Sequence, residues 1–345
     1  MLNVVFASDE NYVSFLKISL NSLLEHNINE FKKINIFILD DGISDKSKKS
    51  IEKLALEYSE SITFIKTKQL EKMNITILGL ERNLNKTSFT TYSRLFISTL
   101  LPTDIDKVLY LDCDSLIVNS IKELWNLDIS NYYCGAVFDG INTSVKERLG
   151  FEKDENYFNA GVLLINLKKW RENNVEEKFI EFMINNQNKF YQHDQGIINN
   201  IFKDHIEIIS PKYNLQNYFQ ILDYNLARKY ICMETEYYTK EIIDESQKNP
   251  VFLHFCGLNY DRPWYNKNHP KAGLFREYAK KVDCEYVIQY LDEIPLKAKI
   301  FYMGVNNSFI KLLLKVIPNW LVRKLINRNA IRGIEIESEK AKIEN

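Results

Sequence analysis

Short uninterrupted apolar runs alternate with segments of helical spacing along most of this chain. Residues 3–6 read as a first strand, and Tyr12, Phe15, Leu16, Leu20, Leu23 and Leu24 then recur on one helical face up to His26. A second apolar run, INIFIL at 34–39, ends in the turn signal Asp40-Asp41-Gly42. Ser44 is placed to cap a polar helix reaching about Tyr58, and 62–65 is a third strand candidate. This βαβαβ order predicts a parallel sheet with right-handed crossovers, covered by helices on both faces. A further helix is expected over 90–101, stopped by Pro102, then a strand at 108–111 and others at 134–138, 161–166 and 252–255. The segment 170–202 reads as largely helical. The Tyr- and Asn-rich stretch 213–250 reads as loops and short helices over a site.

The run VLYL at 108–111 is followed by Asp112-Cys113-Asp114. A strand buried on both faces that ends in acids delivers its charges to the carboxyl edge of the sheet, where open α/β sheets bind ligands. Two carboxylates one residue apart repel unless a cation or a proton lies between them, which points to a divalent metal with oxygen ligands. Asp is also common at strand ends as a turn and cap residue, so the pair by itself leaves both readings open. A third ligand is offered by His254 of VFLHFCG, which of five histidines ends an apolar run, although a lone histidine there is more often a satisfied core residue than a ligand. Two carboxylates with an imidazole suit Mn²⁺ better than Mg²⁺, because imidazole is the softer ligand.

Composition narrows the class. The 345 residues are 45% hydrophobic and 26% charged, ordinary for a globular protein with a substantial core. Lys and Arg number 45 against 46 Asp and Glu, so net charge offers nothing to a nucleic acid. The five cysteines are scattered without a C-x-x-C pair, which fits reduced thiols in the cytoplasm. The start, MLNVVFASDENY, has neither a basic nor an apolar leader region, so no signal peptide is expected.

The C-terminal part differs in character. Between 303 and 334 lie Lys311, Lys315, Arg323, Lys324, Arg328 and Arg332 and no acidic residue. Phe309, Leu312, Leu313, Val316 and Ile317 gather on one helical face opposite Lys311 and Lys315; after Pro318, Trp320, Leu321, Leu325 and Ile326 resume an apolar face. The pattern predicts a helix lying in a membrane interface, at the inner face of the cytoplasmic membrane, in preference to one docked on the rest of the protein. One catalytic domain is therefore expected over 1–282, followed by a helical appendage over 283–345.

Six blocks together resemble one known family. VVFASDENY, TYSRLF, VLYLDCDSLIV, FNAGVLLINLKKWR, HDQGIINNIF and LHFCG with RPW after it stand in the order found in family 8 glycosyltransferases, over residues 3–265. In pattern the chain resembles the family's bacterial galactosyl- and glucosyltransferases that build lipopolysaccharide or other surface glycans. The resemblance implies a GT-A fold, a Rossmann-like single nucleotide-binding domain with a mixed, mainly parallel sheet. It implies a UDP-sugar donor, UDP-glucose or UDP-galactose, a Mn²⁺ cofactor with Mg²⁺ as alternative, a glycan or lipid-linked acceptor, and retention of anomeric configuration.

Carried over position by position, the resemblance assigns Asp112, Asp114 and His254 to the metal, with Cys113 between the two acids. Ala7, Asp9, Asn11 and Tyr12 fall around the uridine, and Arg94 contacts the donor. Asp139, Asn159, Asp194 and Gln195 surround the donor sugar, where paired donors and acceptors discriminate hydroxyls. The family spacing of Gly, two residues and Lys-Pro-Trp is here Gly257, four residues and Arg262-Pro263-Trp264. Arg262 is then the expected diphosphate cation. A haloacid dehalogenase-type phosphatase also places D-x-D after a strand, but wants Thr or Val where Leu116 stands and a motif near the N-terminus. A catalytically silent membrane-binding module on a transferase scaffold is the remaining alternative, against which the intact Asp112, Asp114 and His254 argue.

Overall fold

The computed structural model describes residues 1–70, 90–186, 192–234, 237–318 and 321. Strands β1 (Leu2–Ser8), β2 (Ile34–Asp40), β3 (Ile62–Lys66) and β4 (Lys107–Leu111) lie in one sheet with β6 (Cys134–Ala136), β7 (Val162–Asn166) and β8 (Ile206–Ile208), in the order β3-β2-β1-β4-β7-β6-β8. The pairings β1–β2, β2–β3, β1–β4 and β6–β8 are parallel, whereas β7 runs antiparallel to both β4 and β6. The sheet is thus mixed and mainly parallel.

Alternation along each central strand divides the core. Val4, Phe6, Leu109, Leu111, Val162 and Leu164 face one layer, packed on Leu16, Leu20 and Leu24 of the helix Val13–Asn27. Val5, Val108, Tyr110, Leu163 and Ile165 face the other, with Leu95, Phe96, Trp170 and Phe179. Because successive strand side chains point to opposite faces, a strand covered on both reads as an unbroken apolar run, which is why these strands are visible in the sequence. The expected Ser44 cap is present: its hydroxyl accepts from Ser47 N at the start of the helix Asp45–Glu57.

A second, smaller sheet stands at the mouth of the first. β5 (Ser115–Ile117) pairs antiparallel with β10 (Phe252–His254), which pairs parallel with β9 (Leu215–Gln216). It carries His254 across to the acidic end of β4. The expected continuous helix over 90–101 is broken instead: Thr90–Ser93 and Ile97–Leu100 flank a 3-10 turn, Arg94–Phe96. The turn buries Leu95 and Phe96 while aiming Arg94 at the end of β4, so tertiary contacts override the helical spacing. The strand expected over 134–138 stops at Ala136, and beyond it Phe138 makes a single bridge to Phe158.

In the C-terminal region the helices Leu296–Asn306 and Ser308–Val316 bury Ala298, Phe301, Tyr302 and Leu314 in the same core as β1. Of the expected apolar face Phe309, Leu312, Leu313 and Val316 are exposed, whereas Ile317 packs on the core. The lysine side differs from expectation. Lys311 faces the protein and pairs with Asp223 at 2.9 Å, because a partly buried carboxylate competes for it. No described helix is long and apolar enough to cross a membrane. Trp320, Arg323, Lys324, Leu325, Ile326, Arg328 and Arg332 lie outside the described residues.

Candidate active site

β4 ends at Leu111, and the amide of Asp112 extends its ladder by one rung, donating to Gly161 O at 2.8 Å. The carboxylates of Asp112 and Asp114 face His254 of β10. One ligand atom each from Asp112, Asp114 and His254 lies within 4.8 Å of the others. His254 Nε2 is 3.3 Å from Asp114 Oδ1 and 3.9 Å from Asp112 Oδ2. Burial by itself would raise the Asp114 pKa, yet the adjacent His254 and Arg262 outweigh it and hold it well below the usual carboxylate range. Burial likewise works against charge on His254, but Asp114 and Asp112 win and its pKa is raised. Three groups that stabilise a proton among themselves have the charge and donor set for a divalent cation.

The imidazole is oriented from behind. Asn159 Oδ1 accepts from Gly161 N at 3.0 Å, so it also accepts the 2.8 Å bond from Asn214 Nδ2, which leaves Asn214 Oδ1 facing His254 Nδ1 at 2.9 Å. That network puts the proton on Nδ1 and frees Nε2 towards the carboxylates, the outer hydrogen bond typical of a metal-ligating histidine. Gly161 lets the ring in: a Cβ there would collide with His254 Cε1. Asn214 was not anticipated from the sequence. The only signal available is its place in YNLQNY, where amides alternate with apolar residues and the amides at 214, 216 and 217 are buried.

Arg94 ties this corner to the next. Its Nη2 donates to Asp112 Oδ1 at 2.8 Å and its Nη1 to Ala160 O at 2.9 Å, over the ring of Tyr110. Arg94 Nε and Asp194 Oδ2 are 2.9 Å apart, an ion pair without the alignment of a hydrogen bond. Burial opposes the guanidinium charge, but Asp112 and Asp194 more than offset it and raise the pKa. Beyond it lie the expected sugar-site residues. Gln195 Nε2 donates to Asp139 Oδ2 at 2.7 Å while its Oε1 accepts from Ala160 N, and Asn159 Nδ2 and Tyr218 OH each approach Asp139 at 3.5 Å. Desolvation raises the pKa of both Asp139 and Asp194, against the bonds from Gln195 in one case and the charge of Arg94 in the other. Gln192 and His193, just before Asp194, both have positive φ, strain of the kind that collects at functional sites.

On the opposite side Arg262 Nη2 is 3.5 Å from Asp114 Oδ2, and its buried Nε has no hydrogen-bond partner among the described residues. A buried orphan donor beside the carboxylates suits an incoming anion. Trp264 anchors this segment among Phe15, Phe255 and Phe275, burial worth about 2–3 kcal/mol. Gly257 adopts φ +101 at the start of the loop. At the end of β1, the Asp9 carboxylate caps the turn Glu10–Tyr12, Asn11 reaches it at 3.5 Å, and Tyr12 is exposed. Ala7 is buried, and its carbonyl accepts from Cys113 Sγ at 3.3 Å. The Cys113 side chain therefore belongs to the core and not to the cleft.

A mixed α/β sheet with paired carboxylates at its carboxyl edge, a histidine brought across to them and a cluster of polar side chains beyond defines a GT-A glycosyltransferase. Comparison with known proteins places it within that class: residues 3–268 match the model of glycosyl transferase family 8, and the chain belongs to that family. It is 33% identical to a putative glycosyltransferase of Haemophilus influenzae over 87% of this chain and 86% of the relative. It is 30% identical to a lipopolysaccharide 1,2-glucosyltransferase of Escherichia coli over 79% and 76% respectively. Among solved structures it is similar to the galactosyltransferase LgtC in complex with donor and acceptor sugar analogs. That match has TM-score 0.62 at 26% identity and covers 87% of this chain and all of the other. Membership implies a nucleotide-sugar donor and a glycan acceptor.

Proposed function

We propose that this protein is a retaining hexosyltransferase that moves glucose or galactose from UDP to a glycan or lipid-linked acceptor in bacterial surface-polysaccharide synthesis. The observation that carries the reading is the convergence of Asp112, Asp114 and His254 within 4.8 Å, with Arg262 beside Asp114. Mn²⁺ is the preferred ion because one ligand is an imidazole, and Mg²⁺ is the alternative. When bound, the cation supplies neutralisation of charge that builds on the departing diphosphate. Arg262 adds a guanidinium at the same end, with its orphan Nε available to a phosphate oxygen. Asp139, Asn159 and Gln195 present acceptors and donors to the sugar hydroxyls.

Retention requires either a nucleophile on the far face of the sugar or attack from the leaving-group face. Asp194 is buried and engaged by Arg94, and Gln195 is an amide held by Asp139, so neither is a ready nucleophile. The reading is therefore same-face attack through an oxocarbenium-like state, the leaving phosphate oxygen taking the acceptor proton. A glycosyl adduct trapped on Asp194 would overturn it.

Catalysis is assigned to 1–282. The appendage, with Phe309, Leu312, Leu313 and Val316 outward, is assigned to the inner surface of the cytoplasmic membrane. Deleting 303–345 should release the protein from the membrane fraction, and retention there would refute the anchor. UDP release from a panel of UDP-sugars with Mn²⁺ tests the activity. Turnover of UDP-glucose or UDP-galactose supports it, and absence of both turnover and UDP binding refutes it.

A further inference from the structure

One hydroxyl of the appendage reaches the segment that carries Arg262. Leaving β10, the chain passes through the exposed residues Gly257, Leu258 and Asn259, and the next buried side chain is Asp261, immediately before Arg262. Its Oδ1 accepts from Tyr230 OH at 2.9 Å and from Tyr302 OH. Its carbonyl accepts from Asn217 Nδ2, whose Oδ1 is in turn held by His269 Nε2 at 2.7 Å. Tyr230 lies on the helix Tyr224–Ile231, but Tyr302 comes from Leu296–Asn306 in the appendage. The rings of Tyr230 and Phe301 pack edge to face at 5.0 Å, so the two helices meet over this carboxylate. Burial, reinforced by Asp261, raises the pKa of both phenols, which keeps each a donor.

We propose that Tyr302 is a positioning residue for Arg262: it pins Asp261 and so sets where the guanidinium stands against Asp114 and the donor diphosphate. Gly257, Leu258 and Asn259 are exposed, so ahead of Arg262 the loop is held by the 3-10 turn Asn259–Asp261, by Tyr260 against the core and by the buried Asp261. Four residues separate Gly257 from Arg262, and each added loop residue raises the entropy that an anchor must offset. A hydrogen bond to a buried carboxylate is strong enough to do so, and an adjacent residue inherits the constraint. Arg262 is the next residue in the chain and lies 3.5 Å from Asp114. The appendage is then part of the donor site as well as a candidate membrane contact, and its docking governs donor binding.

The assignment of Arg262 to the diphosphate rests on the proposed function, so the test has one arm that needs no activity. In full-length, ligand-free protein, Tyr302→Phe keeps the ring and removes the hydroxyl. Amide exchange over 257–264 should quicken while exchange of β1 and β4 stays as in the parent. Unchanged exchange in 257–264 overturns the pinning. With donor and Mn²⁺, Tyr302→Phe should raise the donor KM about 10-fold with a smaller change in kcat. In an Arg262→Ala background the same substitution should change the donor KM less than about 2-fold, because residues acting through one another are not additive. An equal effect in both backgrounds overturns the link to Arg262. Faster loop exchange in a protein with no UDP-sugar activity would refute the function while leaving the pinning intact.

Discussion

At one end of the cleft Asp114 is held below the ordinary carboxylate range, while at the other Asp139 and Asp194 are held above it. Burial pushes all three upward, so the difference lies in their partners. Asp114 faces an imidazole and a guanidinium, His254 and Arg262, and stays charged. Asp139 faces the neutral donors Gln195, Asn159 and Tyr218. Asp194 has Arg94, but shares it with Asp112, whose charge acts against its own. The first arrangement suits a cation and a diphosphate; the second suits a neutral, hydroxyl-rich ring. Environments that drive like groups apart in pKa mark a division of chemical roles.

The largest effect that would test this division is at Asp114. Asp114→Ala should lower kcat with donor and acceptor by about 1,000-fold and abolish Mn²⁺ binding, read by titration calorimetry. Turnover within about 10-fold of the parent would erase the distinction between the two ends. Next comes the support behind the histidine. Asn214→Ala should weaken Mn²⁺ affinity about 10- to 100-fold while leaving the fold intact by circular dichroism, because the bond that orients His254 is lost. Gly161→Ala should act in the same direction, since the added methyl occupies the place of the imidazole.

Smaller effects on stability should have opposite signs at the two ends. The folded pKa of Asp114 lies below its unfolded value, so its contribution is present above about pH 4 and lost as pH falls. Asp114→Asn should therefore lower the melting temperature at pH 7. The folded pKa of Asp139 lies above its unfolded value, so its contribution is present in acid and lost as pH rises through the folded pKa. At pH 7 Asp139→Asn should therefore raise the melting temperature while impairing activity. A fall in melting temperature for Asp139→Asn would show the partners there to be stronger than burial.

The sequence revealed these two ends unequally. β1, β2 and β4 were legible because burial on both faces leaves an unbroken apolar run, and Asp112, Asp114 and His254 because each ends such a run. β5 and β9, three and two residues long, carry no periodic signal, and they form the platform that brings His254 across. Asn214 is invisible for the same reason: its role exists only through contacts with Asn159 and His254, 55 and 40 residues away in the chain. The break at Arg94–Phe96 is a tertiary effect on a segment whose local spacing is helical. In the appendage the amphipathic pattern marked an apolar face of which Phe309, Leu312, Leu313 and Val316 are exposed while Ile317 packs on the core. Only the fold reveals that Lys311 turns inward to Asp223 and that Tyr302 reaches Asp261.

Titration of UDP against the full-length protein with Mn²⁺, then with the ion chelated, tests the central claim most directly, with Asp114→Ala in parallel. The account predicts saturable binding that requires the cation and disappears in the variant. UDP binding of equal strength after chelation, or in Asp114→Ala, would contradict it.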